Sequence, residues 1–139
     1  MTVDCFLDTN VFVHAATGRD REEAKRRRAL ELIESENFGL SAQVLQEFFV
    51  TVVRKAQVPL APDAAMDWIE QMVAFPCLSV DHSLVRIAIE TSVRHQLSYR
   101  DGAIVAAAEM LGATTLYSED LKDGRRYGSV QVRNPFRPR

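Results

Sequence analysis

The sequence has no long apolar run. Nothing in it approaches the ~20 consecutive apolar residues of a membrane-spanning helix, which excludes a segment of that kind. The stretch from Met1 to Leu7 lacks the basic start and apolar core of a secretory leader, so the expected location is the cytoplasm. Cysteine is scarce, with only Cys5 and Cys77. Two isolated cysteines suit neither a disulfide framework nor a zinc site. Each lies in a short apolar run, as expected of a reduced thiol packed in a core. Histidine is as sparse: His14, His82 and His95 are dispersed and lack zinc-ligand spacing. There is no recognisable Ser-His-Asp set and no GxxxxGK[ST] phosphate loop. Neither charge sign dominates: 17 Lys and Arg oppose 19 Asp and Glu, for a net charge of −2. No global field therefore announces a nucleic-acid partner.

What is present is enough to fold. Hydrophobic residues make up 47% and charged residues 26% of 139, the profile of one domain with a real core. Repeats, low-complexity stretches and long linkers are absent, and glycine and proline punctuate short loops. Val3 to Leu7 reads as a short buried strand, and Asn10 to Ala16 as a short helix before a polar loop, Thr17 to Asp20. Glu22 to Glu34 reads as a helix and Phe38 to Leu40 as a strand. Ser41 is placed to cap a helix through about Lys55. After Pro59 and Pro62, a helix from Asp63 to Ala74 precedes a strand, Cys77 to Val80. Asp81 caps a helix to about His95. Ser98 caps the most apolar helix of the chain, ended by Gly112. Ala113 to Tyr117 is a strand, and Gly124 and Gly128 mark turns before a last one, Val130 to Val132. Alternating strands and helices predict an α/β fold with a mainly parallel sheet. In such sheets, sites open beyond the carboxyl ends of the strands.

Two strands end in acid. Val3 to Leu7 runs into Asp8, and Ala113 to Tyr117 runs into Ser118, Glu119 and Asp120. If both strands are parallel and central, Asp8 and Asp120 share one edge, although each is equally placed to cap the helix after it. Asp101 lies in the first turn of the most apolar helix, where a carboxylate needs a partner, a cap or a cation. Ser98-Tyr99-Arg100-Asp101 also fits a capping box. Arg100 is the less expected partner, because adjacent residues on a helix do not face each other. Glu47 falls off the apolar stripe Val44, Leu45, Phe48, Phe49 and Val52, so periodicity alone reads it as solvated. Clustered carboxylates repel, and protonation or metal relieves them. Magnesium takes oxygen ligands and keeps several waters, so a few carboxylates suffice, and paired ions serve phosphodiester hydrolysis.

Other features have plainer readings. Lys25 to Arg28 follows Glu22 and Glu23 in the order that favours ion pairs on a solvated helix face. Trp68 suits a core or a helix seam, and Phe136 a plug at the chain end. From Asp120 onward six basic residues, Arg137 and Arg139 among them, oppose two acids, which is compatible with a polyanionic partner.

The stretches FLDTNVFV, QEF at 46 to 48, SYRDGAIVAAAEMLGA at 98 to 113, and LYSEDLKDG followed by VQVRNPF resemble the PIN domain, and more narrowly the VapC toxins of bacterial toxin–antitoxin pairs. The resemblance spans essentially the whole chain in order. It implies a three-layer α/β/α sandwich around a mainly parallel sheet, magnesium or manganese as cofactor, and endonucleolytic cleavage of RNA. It also implies a homodimer and a cognate antitoxin that occludes the site. By resemblance, Asp8, Glu47, Asp101 and Asp120 are the metal-binding and catalytic positions, with Thr9, Asn10 and Ser118 as polar support and Asp123 as a further acidic candidate. Gly102 departs from the alanine common after the third aspartate, which puts helix packing slightly in doubt. Rival readings fit less well. A HAD-type phosphatase needs an aspartate where Asn10 stands, and a receiver domain needs a late lysine that Lys122 does not match. A catalytically silent PIN-type module that binds RNA or protein is the remaining alternative.

Overall fold

The structure is a computed structural model that describes residues 2–18 and 22–138. Six strands form one sheet in the order β3-β2-β1-β4-β6-β5. They are β1 (Cys5–Leu7), β2 (Phe38–Ser41), β3 (Cys77–Leu78), β4 (Thr115–Tyr117), β5 (Arg126–Tyr127) and β6 (Val130–Arg133). All neighbours are parallel except β5 with β6. The helices are α1 (Thr9–Thr17), α2 (Glu23–Ser35), α3 (Ala42–Val50), α4 (Pro62–Met72), α5 (His82–His95) and α6 (Tyr99–Met110). This is the expected mainly parallel sheet between helical layers. No helix among the described residues is long and apolar enough to cross a membrane.

Most elements lie where the sequence places them, and the differences have local causes. The first helix begins one residue early, at Thr9, because Asp8 caps it by accepting from the Thr9 amide. It also takes in Thr17 and is capped by Gly18, and the last two residues of the expected loop, 19 and 20, fall outside the described residues. The helix capped by Ser41 does reach Lys55, but Thr51–Lys55 is a π-helical turn. Such turns recur at functional sites. The strand at Cys77 is two residues long. Strand β5 was not expected. It is a two-residue hairpin arm, turned back on β6 by Gly128 at φ +59° and too short to show a periodicity.

One core joins the sheet to both layers. Phe6 and Leu7 of β1, Leu116 of β4, Val132 of β6 and Ile104 of α6 are fully buried. Helix α6 is buried from Gly102 through Ala108, as its unbroken apolar run implies. The expected weakness at Gly102 is corrected here. A Cβ at 102 would stand 2.7 Å from the Ser92 Cβ and 2.9 Å from the Ala88 carbonyl oxygen and Ser92 amide nitrogen of α5. Glycine is what lets α5 and α6 lie this close, and the packing depends on it. Cys5 is buried and Cys77 partly so, both as free thiols. Burial, then the nearby charges of Glu36 and Asp4, push the Cys5 thiol up to about 12.

Candidate active site

The sheet order reverses at β1, which pairs with β2 on one side and β4 on the other. A crevice therefore opens beyond the carboxyl ends of β1 and β4. Asp8 follows β1 there, and its amide donates to the Tyr117 carbonyl of β4 at 3.0 Å. Asp8 is fully buried. One carboxylate oxygen accepts from the Thr9 amide at 2.7 Å and the other from the Ser118 hydroxyl at 2.8 Å. Across the crevice Asp120 accepts from the Asn10 side-chain amide at 3.1 Å, and its own amide donates to the Ser118 hydroxyl oxygen at 3.1 Å. The two acids at the strand ends thus share one edge and one serine.

Glu47 comes from α3. The Thr9 hydroxyl donates to it at 2.7 Å and the Gln43 amide at 3.4 Å. Asp101, in the first turn of α6, does not fold back as a capping box would have it. Only the serine half of the box forms, with the Ser98 hydroxyl oxygen accepting from the Asp101 amide at 3.1 Å. The Asp101 carboxylate turns to Arg100, the neighbour that helix geometry disfavoured, at 3.1 Å. In the first turn a long arginine stem has room to curl back over the next side chain.

Arg100 joins the cluster. Its Nη2 reaches Asp8 at 2.7 Å and Glu47 at 2.6 Å, its Nε donates to Glu47 at 3.0 Å, and its Nη1 reaches Asp8 at 3.2 Å. Asp8, Glu47 and Asp101, from three separate elements, converge on one guanidinium. Burial alone would lower the Arg100 pKa, but the Glu47 and Asp8 carboxylates outweigh it and raise it further. Burial would likewise raise Glu47, yet Arg100 and Thr9 hold it below the usual carboxylate range. Asp120 is exposed at the rim. Its carboxyl is nevertheless pushed up, first by the protein around it and then by the Asp8 charge, against the opposing Asn10 amide.

The cluster opens into a groove of about 730 Å³. Gln46, Val50, Thr51 and Lys55 of α3 and its π turn line it, as do Asn10, His14 and Glu119. The sequence reading missed His14 and Glu119. Glu119 meets His14 Nε2 at 2.6 Å and Lys25 at 3.1 Å, and Phe136 packs edge-on to the His14 ring. Burial opposes ionisation of Glu119, but His14 and Lys25 keep its pKa low. Only the fold joins these residues, since 94 or more positions separate Glu119 from either partner. Asp123 is not among the residues lining the groove, and it accepts from the Asn134 amide at 2.8 Å and from Arg137 at 3.4 Å. On α2 the expected order of charges gives Glu23–Arg27 four residues apart, while Glu22 pairs with Lys25 and Glu23 with Arg26 at three-residue spacing.

A sequence profile of the PIN domain matches residues 5–127. The chain belongs to the PIN-domain family. Solved structures with the same fold include the Mycobacterium tuberculosis toxin VapC20, described as cleaving the sarcin-ricin loop. It is 22% identical at a TM-score of 0.67, over 83% of this chain and 88% of that one. A toxin–antitoxin complex from Klebsiella pneumoniae is 16% identical at 0.70, over 95% and 98%. A DNA-bound VapBC complex from Salmonella typhimurium is 17% identical at 0.64, over 96% and 99%. Comparison with curated protein sequences finds no match. In this PIN domain the acidic edge gathers carboxylates around the Arg100 guanidinium. Its donors are hard carboxylate and hydroxyl oxygens, the set magnesium and manganese prefer, and a positive group already sits among them. Among the described residues no three potential ligands are spaced to grip a metal as they stand.

The lowered pKa of Glu47 and Glu119 ties stability to acid. A carboxyl with a depressed folded value stabilises the fold above its ordinary range and loses that contribution as pH falls through the folded value. Asp120, shifted upward, works the other way and gains as it protonates. The expected result is a denaturation midpoint that falls as pH drops below about 4, with a smaller fall in Glu47→Gln. Urea melts of both proteins across that range check it, and an equal fall in both would remove Glu47 as a cause.

Proposed function

We propose that this PIN-domain protein is a divalent-metal-dependent endoribonuclease, the toxin of a VapBC-type toxin–antitoxin pair. The observation that carries the reading is the convergence of Asp8, Glu47 and Asp101 on one positive group, with Asp120 beside them, at the floor of an open groove. These four carboxylates would hold magnesium or manganese. When bound, the ion supplies a lowered water pKa and neutralises charge developing on the phosphorane. Ser118 and Thr9 orient Asp8, Asn10 orients Asp120, and Thr9 with Gln43 orients Glu47. Lys55 on the groove wall is placed to meet an RNA phosphate. Water attacks rather than the ribose 2′-hydroxyl, so the products carry 5′-phosphate and 3′-hydroxyl ends.

The relatives support the partners. The described Klebsiella and Salmonella structures are a toxin–antitoxin complex and a VapBC complex, and we extend an antitoxin to this chain. Met66 and Val73 at α4, and Ile89 and Val93 on α5, are exposed apolar side chains. They offer surface for that partner and for a homodimer.

The test is cleavage of total cellular RNA with magnesium or manganese, mapping every new 5′ end. Discrete cuts bearing 5′-phosphates, lost in chelator, are expected. A cyclic phosphate product would sink the hydrolytic version. The second reading is a catalytically silent binding module, and Arg100 favours it, because a positive charge already offsets part of the carboxylate charge without metal. A folded protein that binds RNA, takes up no manganese and cuts nothing would select it.

A further inference from the structure

Arg100 sits where its own helix does not favour it. A cation in the first turn of α6 faces the positive end of the helix dipole, whereas cations are stabilised at the other end. What holds it is its partners: every guanidinium nitrogen is used, on carboxylates from the β1 end, α3 and α6. Asp8 beneath it is fully buried and does not line the groove, while Arg100 does. The guanidinium therefore stands between the deepest carboxylate and the space from which an ion would enter.

The side chain has a way out. It is 31% exposed, and its flexible stem borders a groove of about 730 Å³. Its backbone is fixed meanwhile, because the Gln43 amide donates to the Arg100 carbonyl at 3.2 Å. The side chain can turn into the groove while α6 stays in place.

We propose that Arg100 is an exchangeable internal cation, which holds the carboxylates together without metal and is displaced into the groove when a divalent ion binds. This rests on the metal-dependent reading above. Before the ion arrives, the guanidinium prevents mutual repulsion of Asp8 and Glu47. The ion must then outcompete those pairs, so the apparent affinity is weaker than the bare carboxylates would give. Once displaced, the guanidinium lies on the groove wall.

The test is calorimetric titration of the full chain with manganese, with thermal melting in its presence and absence, for wild type and Arg100→Met. Methionine keeps an unbranched stem and removes the charge. The variant is expected to bind manganese about tenfold or more tightly, a difference of about 1.4 kcal/mol per tenfold. It should melt lower than wild type without metal and gain more from it. Equal or weaker manganese binding by the variant would overturn the exchange and make Arg100 a permanent positioning partner. Manganese binding by neither protein would overturn both the exchange and the metal-dependent reading. If the variant does not fold without metal, the wild type decides. The Arg100 Nε–H resonance, assigned by its loss in Arg100→Lys, should shift when magnesium is added. A resonance unmoved while magnesium binds would overturn the proposal.

Discussion

Asp8→Asn is expected to lower RNA cleavage by about a thousandfold, the scale for a main electrostatic contributor to a transition state, while the protein stays folded. The asparagine carbonyl can still accept from the Thr9 amide, so the cap of α1 survives. The new amide faces a harder choice. Turned toward Ser118, it can donate to the hydroxyl oxygen, which then stops donating to Asp8. Turned toward Arg100, it sets donor against donor. Either way Arg100 Nη1 loses its Asp8 acceptor in a partly buried site. The stability loss should be about 1–3 kcal/mol, the range for leaving one buried polar group unsatisfied. Cleavage rates measured beside urea melts separate the two effects. A variant that melts near wild type and cuts normally would remove Asp8 from the site.

Phe48→Ala is expected to cost about 3–5 kcal/mol of stability, the range for emptying a buried aromatic site. Phe48 is fully buried, and its ring lies 6.2 Å from that of Trp68. It fastens α3 to α4 next to the residue that carries the Glu47 carboxylate. Loosening α3 should therefore weaken manganese binding as well as lower the melting temperature, whereas Phe48→Leu should largely spare both. Chemical denaturation and metal titration on the same samples check this. A cost below about 1 kcal/mol would mean that the neighbours collapse into the space left behind.

Much of this was legible in the chain itself. Asp8 and Asp120 could be placed on one edge because Asp8 directly follows one short apolar strand and Asp120 comes three residues after the end of another, and the parallel β1–β4 pair puts both strand ends together. The sandwich followed from strands alternating with helices. Glu47 was legible only through family resemblance. Its groove position comes from Thr9 and Arg100, which lie 38 and 53 residues away, and helical periodicity cannot see them. Arg100 was misread for a related reason. The rule that adjacent helix residues do not meet describes the middle of a helix, and a first-turn arginine facing three carboxylates escapes it. The constraint at Gly102 was hidden because it lies on α5, in Ser92 and Ala88. Strand β5 was hidden because two residues carry no pattern.

The hydrogen bond between Asp8 and Ser118 spans 110 residues of sequence, and the one between Asn10 and Asp120 spans as many. Half of the acidic edge is thus made early in synthesis and half near the end. A growing chain that has not yet released β4 has Asp8 without its serine and no Asp120 at all. Strand β1 lies between β2 and β4, so this edge cannot assemble from the N-terminal segments alone. The cluster is therefore withheld during translation and completed only as the last strands join the sheet. On the function proposed above, a protein that acts on RNA would emerge from a machine made of RNA before that chemistry is assembled.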